Sequence, residues 1–155
     1  MSPLCFNDGG SGGTRVYFSA ADMLPFHATA SGLAALAFGA PSLLENTLSS
    51  ERTEYTGSTV TDNDQLRELV NKTRAQGFAY SDQAFEAEVS SVAVPFFEST
   101  DFAYGTISIA VPSSRIRNAG VEKYLAALWE TSDAISNELG GMTPTNLKRI
   151  WKLAA

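Results

Sequence analysis

Hydroxyl side chains and bare backbone are concentrated at one point of the sequence, Thr29-Ala30-Ser31-Gly32. The small and apolar residues that follow, up to Phe38, predict a helix that begins here. Unpaired N–H groups and the helix dipole favour an anion at a helix N-terminus, so these residues could bind a carboxylate. Small residues would equally let the helix pack closely on a sheet. Both interpretations are open at this stage.

Serines also occur inside two apolar, β-branched segments further along the chain. Ser90 and Ser91 lie in the first segment, and Ser108 lies in the second. Two neighbouring strands with hydroxyl groups at their centres would form a cavity wall that can hydrogen-bond a small ligand. Because successive strand residues point to opposite faces, Ser91 shares a face with Val89, and Ser90 lies on the other face.

Catalysis by an imidazole would have to use His27, the only histidine in the sequence. Ser31 lies four residues further on, about one helical turn away. A serine nucleophile needs a base within reach and a third group that orients the base, and no Gly-x-Ser-x-Gly elbow occurs in the sequence. A capping or packing role for His27 is therefore favoured over a hydrolase that pairs it with Ser31 or Asp82.

The charged candidates have ordinary explanations. Asp82, Glu86 and Glu88 are close in sequence, but no nearby histidine completes a set of metal ligands, so a solvated acidic turn is favoured. Arg115 and Arg117 could pair with a ligand carboxylate, although ion pairs at the surface are the default for such residues.

The predicted elements favour an α+β fold. Periodicity and capping signals predict helices at 28–38, 41–48, 61–77, 121–139 and from Thr143 onward, and strands at 3–6, 15–18, 89–97 and 104–111. Thr61-Asp62-Asn63-Asp64 has the spacing of a capping box at the start of the third helix. Pro95 should lie at a bulge or at an edge of the sheet, because it cannot donate a hydrogen bond to a neighbouring strand. Trp129 and Trp151 suit an interface and a core equally well. Since helices and strands do not alternate one by one, we expect an antiparallel sheet.

Composition restricts the function further. The chain has 155 residues, 44% of them hydrophobic, which is typical of one domain with its own core. Its net charge is 11 − 17 = −6, which argues against direct binding of nucleic-acid phosphates. A single cysteine, Cys5, excludes an intrachain disulfide and a multi-cysteine metal site, so we expect a cytoplasmic protein without a metal or cofactor. No run approaches the roughly 18 apolar residues of a membrane span.

Several separated segments carry a family pattern when they are taken in order. The first is Leu24-Pro25-Phe26-His27-Ala28-Thr29-Ala30-Ser31-Gly32, continuing to Phe38. The others are Tyr55-Thr56, Thr59-Val60-Thr61, 66–79, 92–97, 107–112, Arg115 and 135–140. Together they resemble the effector-binding domain of IclR-type transcription regulators over residues 24–141.

The resemblance implies a GAF-like domain, a curved antiparallel sheet flanked by helices, which binds a small-molecule effector and forms homodimers or homotetramers. By position it implies eight ligand-binding residues: Ala30, Ser31, Ser81, Asp82, Val89, Ser91, Ser108 and Ala110. Residues 1–23 would be a shortened N-terminal hairpin region with a Gly-rich loop at 9–13, and 142–155 a C-terminal helix. DNA would be bound through a separate domain that precedes this region in the family.

Two departures from the family pattern stand out. Leu33 replaces a lysine or arginine, which removes a surface charge, and Glu88 replaces a glycine next to Val89. The leading hypothesis is an effector-binding and oligomerisation domain that senses a small organic or aromatic acid and has no catalytic activity. The alternatives are a purely structural self-association module and a hydrolase that depends on His27.

Overall fold

Six helices and a three-stranded sheet make up the part of the chain that the computed structural model describes, residues 24–99 and 101–154. They are α1 (Ala30–Phe38), α2 (Pro41–Ser49), α3 (Asn63–Gln76), β1 (Ala79–Asp82), β2 (Val89–Phe97), β3 (Ala103–Pro112), α4 (Ser113–Ala119), α5 (Glu122–Glu138) and α6 (Thr145–Ala154). The grouping of helices and strands confirms the α+β prediction. β1 and α4 are absent from the predicted order, and the strands predicted at 3–6 and 15–18 lie outside the described residues.

The sheet is antiparallel, in the order β1-β2-β3. β2 pairs with β3 along its whole length, which confirms the two predicted strands and the hairpin between them. β1 pairs only with Ser90–Ala93 of β2. β2 is therefore the central strand, and it supplies residues to both faces of the sheet.

The two faces of the sheet differ in what packs on them. We call one the α1 face, and its residues are Ala79, Ser81, Val89, Ser91, Ala93, Ser108 and Ala110. The other is the α5 face, with Tyr80, Asp82, Ser90, Val92, Val94, Ile107, Ile109 and Val111. Helices α1, α2 and α3 form one buried cluster with Ala79 and Ala93, while α5 and α6 form a second cluster with Val92 and Val94.

Pro95 lies where the predicted irregularity occurs. It is beyond Ala93, the last residue of β2 that pairs with β1, and the register between β2 and β3 shifts immediately before Phe97. Two serines of α5 complete the hydrogen bonding there: Ser132 Oγ donates to Pro95 O at 2.6 Å, and Phe97 N–H donates to Ser136 Oγ at 3.0 Å. Helix α5 thus satisfies backbone groups that the strands leave unpaired.

The cap of α3 differs from the prediction by one residue. Asp62, rather than Thr61, is the N-cap, since its Oδ1 accepts the N–H groups of Asp64 at 3.0 Å and Gln65 at 2.9 Å. A carboxylate at this position also interacts favourably with the helix dipole. At the other end Gly77 takes a left-handed conformation (φ 79°) and ends the helix as predicted.

Both tryptophans belong to the core of this chain. The rings of Trp129 and Trp151 are stacked with centroids 5.8 Å apart, and both side chains are buried. Trp151 Nε1 donates to Gly77 O at 2.8 Å, which joins α6 to the end of α3. On α6, Leu147 is buried in the same cluster, whereas Leu153 is 84% exposed.

Candidate functional site

The first turn of α1 is held in place by a side-chain cap and a close backbone contact. Thr29 is the N-cap; its Oγ1 accepts Gly32 N–H at 3.1 Å and donates to Pro25 O at 2.9 Å. A Cβ added to Gly32 would lie 2.3 Å from Phe26 Cα, so only glycine fits where the chain crosses the helix. The start of the helix is thereby fixed against the segment that precedes it.

The strands of the sheet meet this helix start through three serines of the α1 face. Ser81 Oγ donates to Ala28 O at 2.9 Å, Ala30 N–H donates to Ser91 Oγ at 3.3 Å, and the Ser31 and Ser108 hydroxyls are hydrogen-bonded at 2.8 Å. The register supports this arrangement, because Ser91 pairs with Ser81 on one side and with Ala110 on the other. Residues that are distant in sequence are thus brought to one place.

Exposure increases across this group toward β3. Ser81 is buried, Val89, Ser91 and Ala110 are half-buried, and Ser108 is exposed. The group is therefore most exposed at Ser108, on the β3 side.

Two of the hydroxyl groups retain an unused proton. Ser91 Oγ accepts from Ala30 N–H, and the Ser31 and Ser108 hydroxyls share one hydrogen bond, which uses one of their two protons. Within the described residues, Ser91 donates to no acceptor and the Ser31–Ser108 pair donates to none outside itself. A serine hydroxyl has one proton and two lone pairs, so Ser91 and one member of the Ser31–Ser108 pair are available as donors. An acceptor such as a carboxylate suits this pair.

Asp82 is the predicted site residue that the structure does not bring to this group. It follows Ser81 directly, and successive strand residues point to opposite faces, so Asp82 lies on the α5 face. There Ser90 Oγ donates to Asp82 Oδ1 at 2.6 Å and lies 2.7 Å from Ser113 Oγ. Because Ser90 has a single proton, the Ser113 hydroxyl is the donor to Ser90. This chain of hydroxyls fixes the start of α4.

His27 is a packed histidine, as the capping and packing interpretation predicts. It is 7% exposed, its Nε2 lies 2.9 Å from Thr53 O, and its ring is 5.9 Å from the Tyr55 ring. Ser31 and Asp82 have other hydrogen-bond partners, Ser108 and Ser90. His27 is therefore not paired with Ser31 or with Asp82, as a hydrolase would need.

A surface groove of about 410 Å³ lies beside His27 and was not predicted from the sequence. It is lined by residues of α2, by Phe26 and by the segment 50–55. Its cation, Arg52, donates to the backbone oxygens of Thr47 and Thr61, both at 2.6 Å. The Arg52 guanidinium is thus used to join the end of α2 to the segment before α3.

Within residues 24–99 and 101–154, no helix is both long enough and apolar enough to span a bilayer. The same residues contain no group of three acidic, histidine or cysteine side chains arranged to hold a metal ion.

Comparison with known proteins identifies the domain. The family model described as "Bacterial transcriptional regulator IclR C-terminal" matches residues 11–137, which is most of the chain. The chain belongs to the IclR family. The match begins at residue 11, whereas the resemblance in the sequence begins at Leu24. The similarity to the family therefore also covers residues 11–23.

The relatives support the same assignment. The DNA-binding transcriptional repressor YiaJ of Escherichia coli K12 is 32% identical over 82% of this chain, and the alignment covers 45% of that protein. A crystal structure of an IclR regulator from Silicibacter sp. TM1040 has a TM-score of 0.79 and 36% identity, covering 85% of this chain and 52% of the other. This chain spans about half the length of these relatives.

A ligand-bound structure is also similar. The IclR homologue from Microbacterium hydrocarbonoxydans, complexed with 4-hydroxybenzoate, has a TM-score of 0.71 and 28% identity, covering 81% of this chain and 50% of the other. The comparisons confirm the predicted family and its fold of helices on an antiparallel sheet. The chain is the C-terminal, effector-binding domain of an IclR-type regulator, and its relatives are transcriptional regulators rather than enzymes.

Proposed function

We propose that this domain senses a small organic or aromatic acid, which binds between the first turn of α1 and the α1 face of the sheet. The observation that carries the proposal is the two unused hydroxyl protons, one on Ser91 and one on the Ser31–Ser108 pair. The proposed ligand-binding residues are Ala30, Ser31, Ser81, Val89, Ser91, Ser108 and Ala110. Asp82 is left out because it lies on the α5 face.

The electrostatics of the site favour an acid over a neutral ligand. A carboxylate would lie at the N-terminus of α1, where the helix dipole favours negative charge. Hydrogen bonds from the Ser91 and Ser108 hydroxyls to a charged oxygen are stronger than bonds to a neutral one. The 4-hydroxybenzoate complex of an IclR homologue supports an aromatic acid.

In the whole regulator, the bound acid would act through assembly rather than through chemistry. We propose a cytoplasmic protein that forms homodimers or homotetramers and binds DNA through a separate domain. The acid would stabilise the arrangement for which it has the higher affinity and so change DNA binding, without turnover of the ligand.

The test is calorimetric titration of the purified chain with 4-hydroxybenzoate, 4-hydroxybenzamide and pyruvate. We expect an acid to bind at least about tenfold more tightly than the neutral amide, because hydrogen bonds to charged groups contribute about 1.5–3 kcal/mol. Ser108→Leu fills the accessible side of the site and should abolish binding. Ser99→Leu makes the same change at an exposed serine in the β2–β3 connection and should leave the affinity unchanged.

Two results would contradict the proposal. Equal affinity for the acid and the amide would remove the role of the hydroxyl donors. A folded, oligomeric chain that binds none of these compounds would instead support the structural self-association module.

A further inference from the structure

The connection between β1 and β2, residues 83–88, is closed on itself by three hydrogen bonds. Gln83 N–H donates to Val89 O at 2.9 Å, Val89 N–H to Glu86 O at 3.3 Å, and Glu88 N–H to Gln83 Oε1 at 3.0 Å. Gln83 and Glu88 have positive φ angles, 55° and 64°, which residues other than glycine rarely adopt. This β1–β2 loop is therefore a compact unit between two strained residues, and neighbouring segments must hold it there.

Two threonines of a preceding turn hold the loop. Thr56 Oγ1 donates to Gln83 O, and Thr59 Oγ1 donates to Ala84 O, each at 2.6 Å. The direction of both bonds is fixed because a carbonyl oxygen can only accept. Thr59 Oγ1 accepts N–H groups from Tyr55 and Thr56, and Thr56 Oγ1 accepts the N–H of Ser58, so each proton goes to the loop carbonyl.

The same turn is connected to the start of α1. The Tyr55 ring meets the Phe85 ring of the loop edge-on, with centroids 4.9 Å apart, and lies 5.9 Å from the His27 ring on its other side. His27 in turn meets Thr53 O, two residues before Tyr55, at 2.9 Å. A continuous set of contacts thus runs from the segment before α1, through the turn, to the β1–β2 loop.

The loop borders the residues of the proposed acid site. It begins two residues after Ser81 and ends immediately before Val89, and both Ser81 and Val89 lie on the α1 face. A displacement of the loop would therefore move the edge of the site without disturbing the hydrophobic clusters.

We infer that Thr56 and Thr59 are positioning residues that hold the β1–β2 loop against the proposed site and so slow the release of its ligand. The inference rests on the proposed function for the ligand, but the hydrogen bonds that carry it can be tested without one. Neither threonine needs to touch the acid.

Amide hydrogen exchange of the full chain tests the inference first. The variants are Thr56→Val and Thr59→Val, which keep the side-chain shape and remove the hydroxyl, and Thr59→Ser, which keeps the hydroxyl. We expect each valine variant to speed exchange at the Gln83, Glu88 and Val89 amides by about fivefold, the effect of one hydrogen bond. Thr59→Ser should restore slow exchange, and amides of α5 should be unchanged in all three variants.

Binding kinetics with 4-hydroxybenzoate test the consequence for the ligand. Thr59→Val should weaken binding by about fivefold, mainly through faster dissociation, because the loop limits release rather than encounter. Thr59→Ser should bind as the unmodified chain does. If Thr59→Val lowers global stability but leaves the dissociation rate unchanged, Thr59 has a purely structural role and the inference is overturned.

The outcomes separate this inference from the proposed function. Faster exchange confined to residues 55–59 would show that the threonines only shape their own turn, and would overturn the inference. Faster exchange in the loop with unchanged dissociation of 4-hydroxybenzoate would show that the loop does not border the ligand, and would also overturn it. If the unmodified chain binds neither 4-hydroxybenzoate nor pyruvate, the proposed function and the ligand part of the inference fail together, while the exchange data still decide the role of the threonines.

Discussion

The two faces of the sheet use the same three strands for different purposes. On the α5 face, Val92 and Val94 are fully buried in the cluster with α5 and α6, and most side chains there are large and apolar, with Asp82 and Ser90 as exceptions. On the α1 face, small and hydroxyl side chains meet the start of a helix, and exposure increases toward Ser108. The difference shows that burial of large apolar side chains is concentrated beneath α5 and α6, while the α1 face has polar donors within reach of solvent.

The largest expected effect is on the α5 face. Trp151→Ala removes a ring that is 5% exposed, the stacking on Trp129 and the bond to Gly77 O, so it should lower the free energy of unfolding by about 3–5 kcal/mol. Denaturant unfolding measures the loss. Leu153→Ala on the same helix, at a residue that is 84% exposed, should change stability by less than about 0.5 kcal/mol. Similar small losses in both variants would contradict the role of the buried Trp151 ring in the α5-face cluster.

A change at the helix start should affect both stability and ligand binding. Gly32→Ala places a methyl group 2.3 Å from Phe26 Cα, which the backbone must move to accommodate, at a cost of about 1–3 kcal/mol. Because the first turn of α1 moves with it, affinity for 4-hydroxybenzoate should also fall. Gly57→Ala is the matched control, since no atom lies within 4 Å of the added carbon. Unfolding and titration of both variants measure the two effects.

Backbone strain next to the site should be relieved by glycine. Glu88 holds a φ of 64°, a left-handed conformation that glycine adopts more readily than a residue with a side chain. Glu88→Gly should raise the free energy of unfolding by about 0.5–1 kcal/mol, because the relief of strain exceeds the added chain entropy. Glu86→Gly, in the same loop and without a positive φ, should lower it by a similar amount. The same sign in both variants would show that strain at Glu88 is negligible.

The smallest expected effect is a pH dependence on the α5 side. The hydrogen bond from Lys148, 2.8 Å from Asp133, holds the pKa of the Asp133 carboxyl below its usual value, with Thr143 assisting and burial opposing. A lowered pKa in the folded state stabilises the protein above the unfolded pKa of about 3.9, and that contribution is lost as the pH falls through the folded value. For an exposed pair it amounts to at most about 1 kcal/mol.

Asp133→Asn isolates this contribution. The variant should be less stable than the unmodified chain at pH 6, and the difference should shrink as the pH is lowered below 4 and as salt is added. Thermal unfolding at several pH values measures it. A difference that grows on acidification would give the opposite sign and contradict the assignment.

The sequence predicts most of the fold because its signals are local. The cap at Asp62 and the glycine at Gly77 bound α3, and β-branched runs mark β2 and β3. β1 and α4 escape prediction since they are only four and seven residues long, and α4 has no side-chain cap. Short elements such as these depend on tertiary contacts, here the pairing of β1 with β2 and the bond from Ser113 N–H to Glu88 O.

The candidate site is only partly predictable for a similar reason. Alternation within a strand separates Ser91 from Ser90, and the structure confirms it. The choice between Ser81 and Asp82 requires the position of β1 in the sheet, which only the pairing with β2 settles. The roles of Thr56 and Thr59 depend on backbone carbonyls of a distant loop, and the positions of backbone carbonyls cannot be predicted from residue types.

Amide chemical shifts recorded while the chain is titrated with 4-hydroxybenzoate locate the bound acid most directly. We expect saturable changes at Ala30, Ser31, Ser91, Ser108 and Ala110, with the α5 face residues Val92 and Val94 unaffected beyond small secondary shifts. Changes centred instead on Phe26, Tyr55 and α2 would place the ligand in the surface groove and contradict the assignment of the α1 face.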